Sequence, residues 1–154
     1  MKLRMLSLAL LITVAQISNM DGYRFSVMNS STLFKISGAV VEMTPGSGCQ
    51  NLYMQEPPNG PSPLMPGQSW SDSKSGYCQL IGVNPSVLLR IGGKDTTGQQ
   101  AYWYAVGSVA ILGDVEVVVT DNQVSITTGG LGGKTFTFSL DASGKPSGNV
   151  SGPA

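Results

Sequence analysis

Hydrophobic and polar side chains alternate with a period of two over most of this chain. The clearest segments are 23–29, 32–41, 115–128 and 134–140, and shorter candidates lie at 68–71, 78–83, 87–91 and 99–106. Because successive side chains of a β-strand point to opposite faces, this alternation predicts strands, and no segment after residue 18 has the helical period. We therefore predict an all-β fold, an antiparallel β-sandwich of about eight or nine short strands.

The segments between these strands carry turn and loop signals. Asp121 and Asn122 separate two alternating runs, which favours a hairpin with a primed turn. Residues 44–68 hold six of the nine prolines and predict a long surface loop, because proline cannot donate to a sheet ladder. Residues 141–154 are rich in Ser, Gly and Pro and predict a flexible tail.

The N-terminus has the pattern of a secretory signal peptide. Lys2 and Arg4 precede an apolar run, 5–15, which is too short to span a bilayer. We predict a signal peptide over 1–18, with alternative cleavage sites after Ala15 or near Ser18, a single sandwich domain over 19–140, and a secreted, extracellular protein. An uncleaved anchor or a buried first strand is the alternative.

Secretion changes how the two cysteines and two sequons are interpreted. Cys49 and Cys78 predict one disulfide, since an even pair in an oxidising compartment is more often bridged than free; two buried thiols are the alternative. Asn29 and Asn149 begin Asn-X-Ser sequons and predict glycosylation in a eukaryotic host.

Composition removes most common chemistries. The chain has no His, and only 12% of its residues are charged, with nine basic and nine acidic residues. Catalytic triads and His-ligated metals therefore lack residues, and phosphate-neutralising nucleic-acid binding lacks a basic patch. Asp114 and Glu116 are the carboxylates of the alternative enzyme class, a glycoside hydrolase, but a solvent-facing strand explains them better. We predict a non-enzymatic protein with no cofactor and no metal.

The remaining candidates are aromatic. Trp70 stands in a polar segment, and Trp103 alternates with Tyr102 and Tyr104, so either Trp103 or the tyrosine pair faces away from the core. Exposed aromatic side chains stack on sugars or enter the headgroup region of a membrane. These four residues are the predicted ligand-binding positions; the alternative is that both tryptophans close the core.

Several motifs resemble the aegerolysin family of small acidic β-sandwich proteins. They are FSVMN at 25–29, the proline-containing turn PGQSW at 66–70, Tyr77-Cys78, and the Tyr-Trp strand at 102–103. The family's second-strand tryptophan and its Cys-Pro-Trp element are absent, since 39–43 reads AVVEM and 104–106 reads YAV. Thaumatin-like small secreted proteins are the second resemblance, through VMN and PGQSWS.

The two resemblances imply different partners. Aegerolysins bind membrane sphingolipids, and some act with a larger pore-forming protein, so the first implies lipid binding and a toxin- or effector-like role in virulence. The second implies a carbohydrate- or cell-wall-facing function. We therefore expect a secreted protein that binds a membrane lipid or a cell-surface glycan, with a structural or partner-protein role as the further alternative.

Overall fold

The computed structural model describes residues 22–42, 52–54, 63–75, 86–95, 100–105, 114–129, 133–148 and 150–151. These residues form ten strands and no helix. The strands are β1 (Gly22–Asn29), β2 (Phe34–Glu42), β3 (Leu52–Met54), β4 (Ser69–Ser75), β5 (Ser86–Gly93), β6 (Gln100–Ala105), β7 (Val115–Val119), β8 (Gln123–Thr128), β9 (Thr135–Ser139) and β10 (Val150–Ser151). The predicted signal peptide, both cysteines, Asn149 and the predicted strand 78–83 lie outside the described residues.

The strands form two five-stranded sheets. Sheet 1 has the order β4-β1-β7-β8-β9, and sheet 2 has the order β10-β6-β5-β2-β3. The buried hydrophobic residues of both sheets belong to one cluster, and the rings of Tyr104 in sheet 2 and Phe138 in sheet 1 meet edge to face with centroids 4.9 Å apart. Two sheets that enclose one apolar core have the layer arrangement of a β-sandwich, so the all-β prediction is confirmed.

One strand pair departs from the predicted antiparallel order. Strands β1 and β7 are parallel, with Phe25 opposite Val115 and Val27 opposite Val117. Parallel neighbours need a crossover connection. Here the chain between them supplies β2 and β3 to sheet 2, β4 to sheet 1, and β5 and β6 to sheet 2, before it returns to sheet 1 as β7.

The proline-rich segment contains more structure than the predicted surface loop. Strand β3 pairs with β2, and Leu64 is fully buried and bridges Ile36 through backbone hydrogen bonds in both directions, at 2.8 and 3.0 Å. Pro63 lies immediately before this bridge and does not prevent it, since Leu64 itself supplies the N–H donor. The buried leucine anchors the segment to the edge of the core.

The predicted tail is also folded in the part that the structure describes. Leu140 bridges Pro146, the Ser147 amide donates to the Ser139 carbonyl at 2.9 Å, and β10 pairs with β6. Gly144 adopts a φ of +85°, and a side chain there would meet Ile91 and Phe34 at 3.1 and 3.4 Å. A tight glycine turn therefore lets this segment pack against the core instead of extending into solvent.

Candidate functional site

The structure separates the four predicted aromatic positions. Tyr102 and Tyr104 point into the core, with exposed fractions of 8% and 1%. The Tyr102 hydroxyl donates to the Gln100 side chain at 2.6 Å, and burial raises the pKa of the Tyr104 phenol, with the neighbouring Tyr102 as the second cause. Trp103 lies half-buried on the outer face of sheet 2. Of the two arrangements that the sequence allowed, the structure therefore has the tyrosine pair in the core and Trp103 facing away from it.

Trp70 lies in the other sheet and contacts the core. It stands opposite Val27 on the edge strand β4, and its ring packs edge to face on Phe25 with centroids 5.9 Å apart. It is half-buried and covers the rim of the hydrophobic cluster. The four aromatic residues therefore do not form one exposed site.

The connections at one end of the two sheets form a continuous group, which we call the loop end. Strands β1 and β7 are parallel and both end there, so their antiparallel partners β4 and β8 begin there. In sheet 2, β2 begins at this end because a short connection joins it to β1, and its antiparallel partner β5 ends there. The Lys94 amide donates to the Leu33 carbonyl, and the Leu140 amide donates to the Asn122 carbonyl. The described loop end consists of residues 30–33, 63–68, 94–95, 120–122 and 140–148.

Asn29 holds two of these segments together from inside. Its side chain is fully buried; Nδ2 donates to the carbonyls of Phe34 and Leu64 at 2.9 Å each, and Oδ1 accepts from the amide and the hydroxyl of Ser31. An N-linked glycan would attach to this same Nδ2 atom. The sequon asparagine is therefore an interior hydrogen-bonding residue in this fold, and a glycan on it would replace these hydrogen bonds. Glycosylation of Asn29 in a eukaryotic host stays a prediction.

Asp121 connects the β7–β8 turn to the β1–β2 loop. Its carboxylate accepts from the Thr32 hydroxyl at 2.7 Å and from the backbone amides of Thr32 and Leu33. The predicted primed turn is wrong, because neither Asp121 nor Asn122 has a positive φ. Contacts outside the hairpin hold the turn instead, since the Asn122 carbonyl also accepts from Leu140.

The exposed large hydrophobic side chains of the described residues all lie at or beside the loop end. Met28 is exposed by 46%, Leu33 by 46% and Met65 by 36%. Met28 stands opposite Ser69 at the start of β4, and the Met65 amide donates to the Gln68 side chain. The sequence indicates two of these positions. Met28 falls on the polar face of its strand, and Leu33 directly precedes Phe34, so that if Phe34 points inward Leu33 must point outward.

A cleft of about 420 Å³ opens at the same end, between the adjacent ends of strands β5 and β6 and the 141–145 turn. The side chain of Asp141 holds this turn, accepting from the Ser143 amide at 2.9 Å, the Ser143 hydroxyl at 2.6 Å and the Lys145 amide at 3.0 Å. The lining of the cleft combines the Tyr102 ring with polar side chains and backbone. The polar side chains are those of Gln100, Tyr102, Ser143 and Lys145, and the backbone belongs to Gly92 and Gly93.

The carboxylates that organise this end both favour the charged form. Hydrogen bonds from the Thr32 amide and hydroxyl lower the pKa of Asp121, and those from the Ser143 hydroxyl and the Lys145 amide lower the pKa of Asp141. The stability that they contribute is therefore present above the ordinary Asp value of 3.8 and is lost as the pH falls through the lowered values.

We expect the melting temperature to fall as the pH drops from 5 to 2.5 and Asp121→Asn to flatten part of this fall, because the amide keeps one acceptor oxygen at every pH. Thermal unfolding followed by circular dichroism measures both. Asp95→Asn removes the same charge from the same end and serves as the control. A fall that is equally steep in Asp121→Asn and in the wild type would contradict the assignment.

The remaining candidate chemistry of the described residues concerns the hydrolase carboxylates and possible metal ligands. Asp114, one of the two candidate hydrolase carboxylates, accepts from the Arg24 amide at 2.9 Å and forms an exposed ion pair with its guanidinium at 3.3 Å. Within the described ranges no three His, Cys, Asp or Glu side chains are placed to hold a metal, and no helix is long and apolar enough to cross a membrane.

Comparison with known proteins adds no relative. The sequence matches no protein-family model, and no curated protein is significantly similar to it. The likeness to the aegerolysins therefore remains a prediction from the motifs named above.

Proposed function

We propose that this chain is a secreted, non-enzymatic binding protein that attaches to a lipid membrane through the loop end. The observation that supports this is the grouping of Met28, Leu33 and Met65, the exposed large hydrophobic side chains of the described residues, at or beside one end of the molecule. Scattered single apolar side chains on a surface need no explanation, whereas a group at one end favours an apolar environment there.

The contacts beneath these residues suit them to insertion. Leu33 is held by the Asp121 carboxylate through its amide and by Lys94 through its carbonyl, and Met65 is held through Gln68. Anchored backbone lets the side chains enter the interface without an ordering cost for the loop. Burying a side chain of this size contributes about 1.5–3 kcal/mol, so the group supports weak, reversible attachment.

The adjacent cleft suits a polar headgroup. The ammonium group of Lys145, the Ser143 hydroxyl and the Gln100 amide match the phosphate or hydroxyl groups of a lipid headgroup. The resemblance to aegerolysins makes sphingolipid the first class to test, with a pore-forming protein as a further partner. Without residues 1–18 the chain carries seven basic and nine acidic residues, and because this net charge is small we expect binding to depend little on salt.

The test is co-sedimentation with vesicles of phosphatidylcholine alone and of phosphatidylcholine with sphingomyelin. We expect pelleting at both 0.1 and 0.5 M NaCl, and at least a tenfold loss of affinity in Leu33→Asp, since a charge is then carried into the interface. Thr135→Asp adds the same charge at the opposite end of sheet 1 and should bind like the wild type. Equal binding of both variants, or no pelleting of the wild type with either vesicle, would overturn the proposal.

A glycan array on the same preparation examines the alternative partner. The cleft's hydroxyl and amide groups also suit sugar hydroxyl groups. Array binding without vesicle binding would assign the cleft to a cell-surface glycan and leave the three apolar side chains without a membrane role.

A further inference from the structure

The outer face of sheet 2 carries a row of apolar side chains that crosses three strands. Val40 on β2 stands opposite Leu88 on β5, and Leu88 stands opposite Trp103 on β6. All three are half-buried, and each lies on the side of its strand that points away from the core. With strands about 4.8 Å apart, the row is about 10 Å wide across its Cα positions.

Two opposite charges flank this row, one on each side of it. Arg90 is exposed on one side, opposite Gly38, and its side chain lies across Gly38, where an added Cβ would be 3.4 Å from Arg90 Cδ. Glu42 is exposed on the other side, opposite Ser86 and four residues beyond Gly38 on the same strand. Within the described part of the chain, neither charge has an ion pair or hydrogen bond.

We propose that a second copy of this chain packs on this face, related by a two-fold axis that runs along the Val40–Leu88–Trp103 row. Rotation about that axis exchanges the two sides of the row and keeps each strand over its own copy. The position of Gly38 in one copy therefore faces Glu42 of the other. Since the Arg90 side chain already lies over Gly38, the arrangement brings Arg90 of each copy to Glu42 of its partner, twice per dimer.

The pattern of charges favours a second copy of this chain as the partner on this face. A self-complementary patch is what a two-fold interface requires, and here the same two residues supply both members of both ion pairs. The row places like apolar side chains against each other at the centre, where desolvation is complete, and the charges at its rim specify register. The chain without residues 1–18 carries seven basic and nine acidic residues, and this small net charge gives little net repulsion against association.

This inference is independent of the proposed membrane attachment. The two-fold rotation reverses strand direction, so the loop ends of the two copies point away from each other. Leu33 and the cleft belong to the loop end and not to the Val40–Leu88–Trp103 row. A failure of vesicle binding would therefore overturn the proposed function without bearing on the dimer.

The test is sedimentation equilibrium of the secreted protein and of three charge variants. We expect a dimer for the wild type at tens of micromolar. Arg90→Glu and Glu42→Arg should each raise the dissociation constant at least tenfold through like-charge contacts. The double variant Arg90→Glu/Glu42→Arg should return it to within about threefold of the wild type, because both ion pairs re-form with reversed polarity.

Lys134→Glu, an equal charge reversal on an exposed residue next to sheet 1, is the matched control and should leave the dimer unchanged. Thermal unfolding of each variant verifies that it is folded. A wild type that is monomeric at 1 mM, a dimer that none of the reversals weakens, or folded single variants whose defects the double variant does not reverse would each overturn the proposal.

Discussion

Asn29→Ala should lower the free energy of unfolding by about 3 kcal/mol or more. Its side chain is fully buried and fully hydrogen-bonded, with two carbonyl acceptors, Phe34 and Leu64, and two donors from Ser31. Removing the amide leaves the buried Ser31 amide without its acceptor, which costs about 1–3 kcal/mol. It also takes one of two hydrogen bonds from each of the carbonyls of Phe34 and Leu64, which keep the Ser31 hydroxyl and the Ile36 amide as donors, at about 0.5–1.5 kcal/mol each. Urea denaturation monitored by circular dichroism measures the loss.

The isosteric change Asn29→Asp separates hydrogen bonding from packing. It keeps the shape and the acceptor for Ser31 but removes both donors, and at neutral pH it places a charge against the carbonyls of Phe34 and Leu64. We therefore expect it to be at least as destabilising as Asn29→Ala at pH 7. Ser30→Ala, at the exposed neighbouring position, is the control and should change stability by less than about 0.5 kcal/mol. An Asn29→Ala variant within 1 kcal/mol of the wild type would show that the network is dispensable.

The residues that sequence reasoning placed correctly are those with local periodicity. The alternation of Val115, Val117 and Val119 and of Val124 and Ile126 predicts β7 and β8, and these side chains are all buried as a single face requires. The Tyr102–Tyr104 alternation likewise predicts that Trp103 and the tyrosines lie on opposite faces. Which face was the core could not be predicted, because this depends on the partner sheet and not on the strand itself.

The features that the sequence did not reveal depend on contacts between distant segments. Leu64 is buried because it reaches Ile36 across 28 residues of chain, and the prolines close to it on both sides, Pro63 and Pro66, conceal that pairing. The interior role of Asn29 was hidden for the same reason: the sequon is three residues long, whereas the acceptor carbonyl of Leu64 lies 35 residues away. The turn at Asp121 is a third example, because its carboxylate is held by Thr32 and Leu33, which lie far away in the sequence.

Phe25→Ala should be the most destabilising single truncation in sheet 1 and should change the environment of Trp70. Phe25 is fully buried on β1, between the edge strand β4 and the parallel neighbour β7, and its ring supports the Trp70 ring at a centroid distance of 5.9 Å. Truncation of a buried Phe costs about 3–5 kcal/mol, because the lost transfer free energy is added to the cost of the cavity. Met28→Ala, at an exposed position on the same strand, is the control, with less than about 1 kcal/mol expected.

Fluorescence distinguishes the structural role of Trp70 from the ligand-binding role that its polar sequence neighbourhood predicts. In a Trp103→Phe background Trp70 is the only remaining tryptophan, and Phe25→Ala should shift its emission to longer wavelength in the native state, because the ring loses its apolar support and gains water. Met28→Ala should leave the emission unchanged. An unshifted spectrum in folded Phe25→Ala would mean that Trp70 is exposed independently of the core, and it would return Trp70 to the candidate ligand-binding residues.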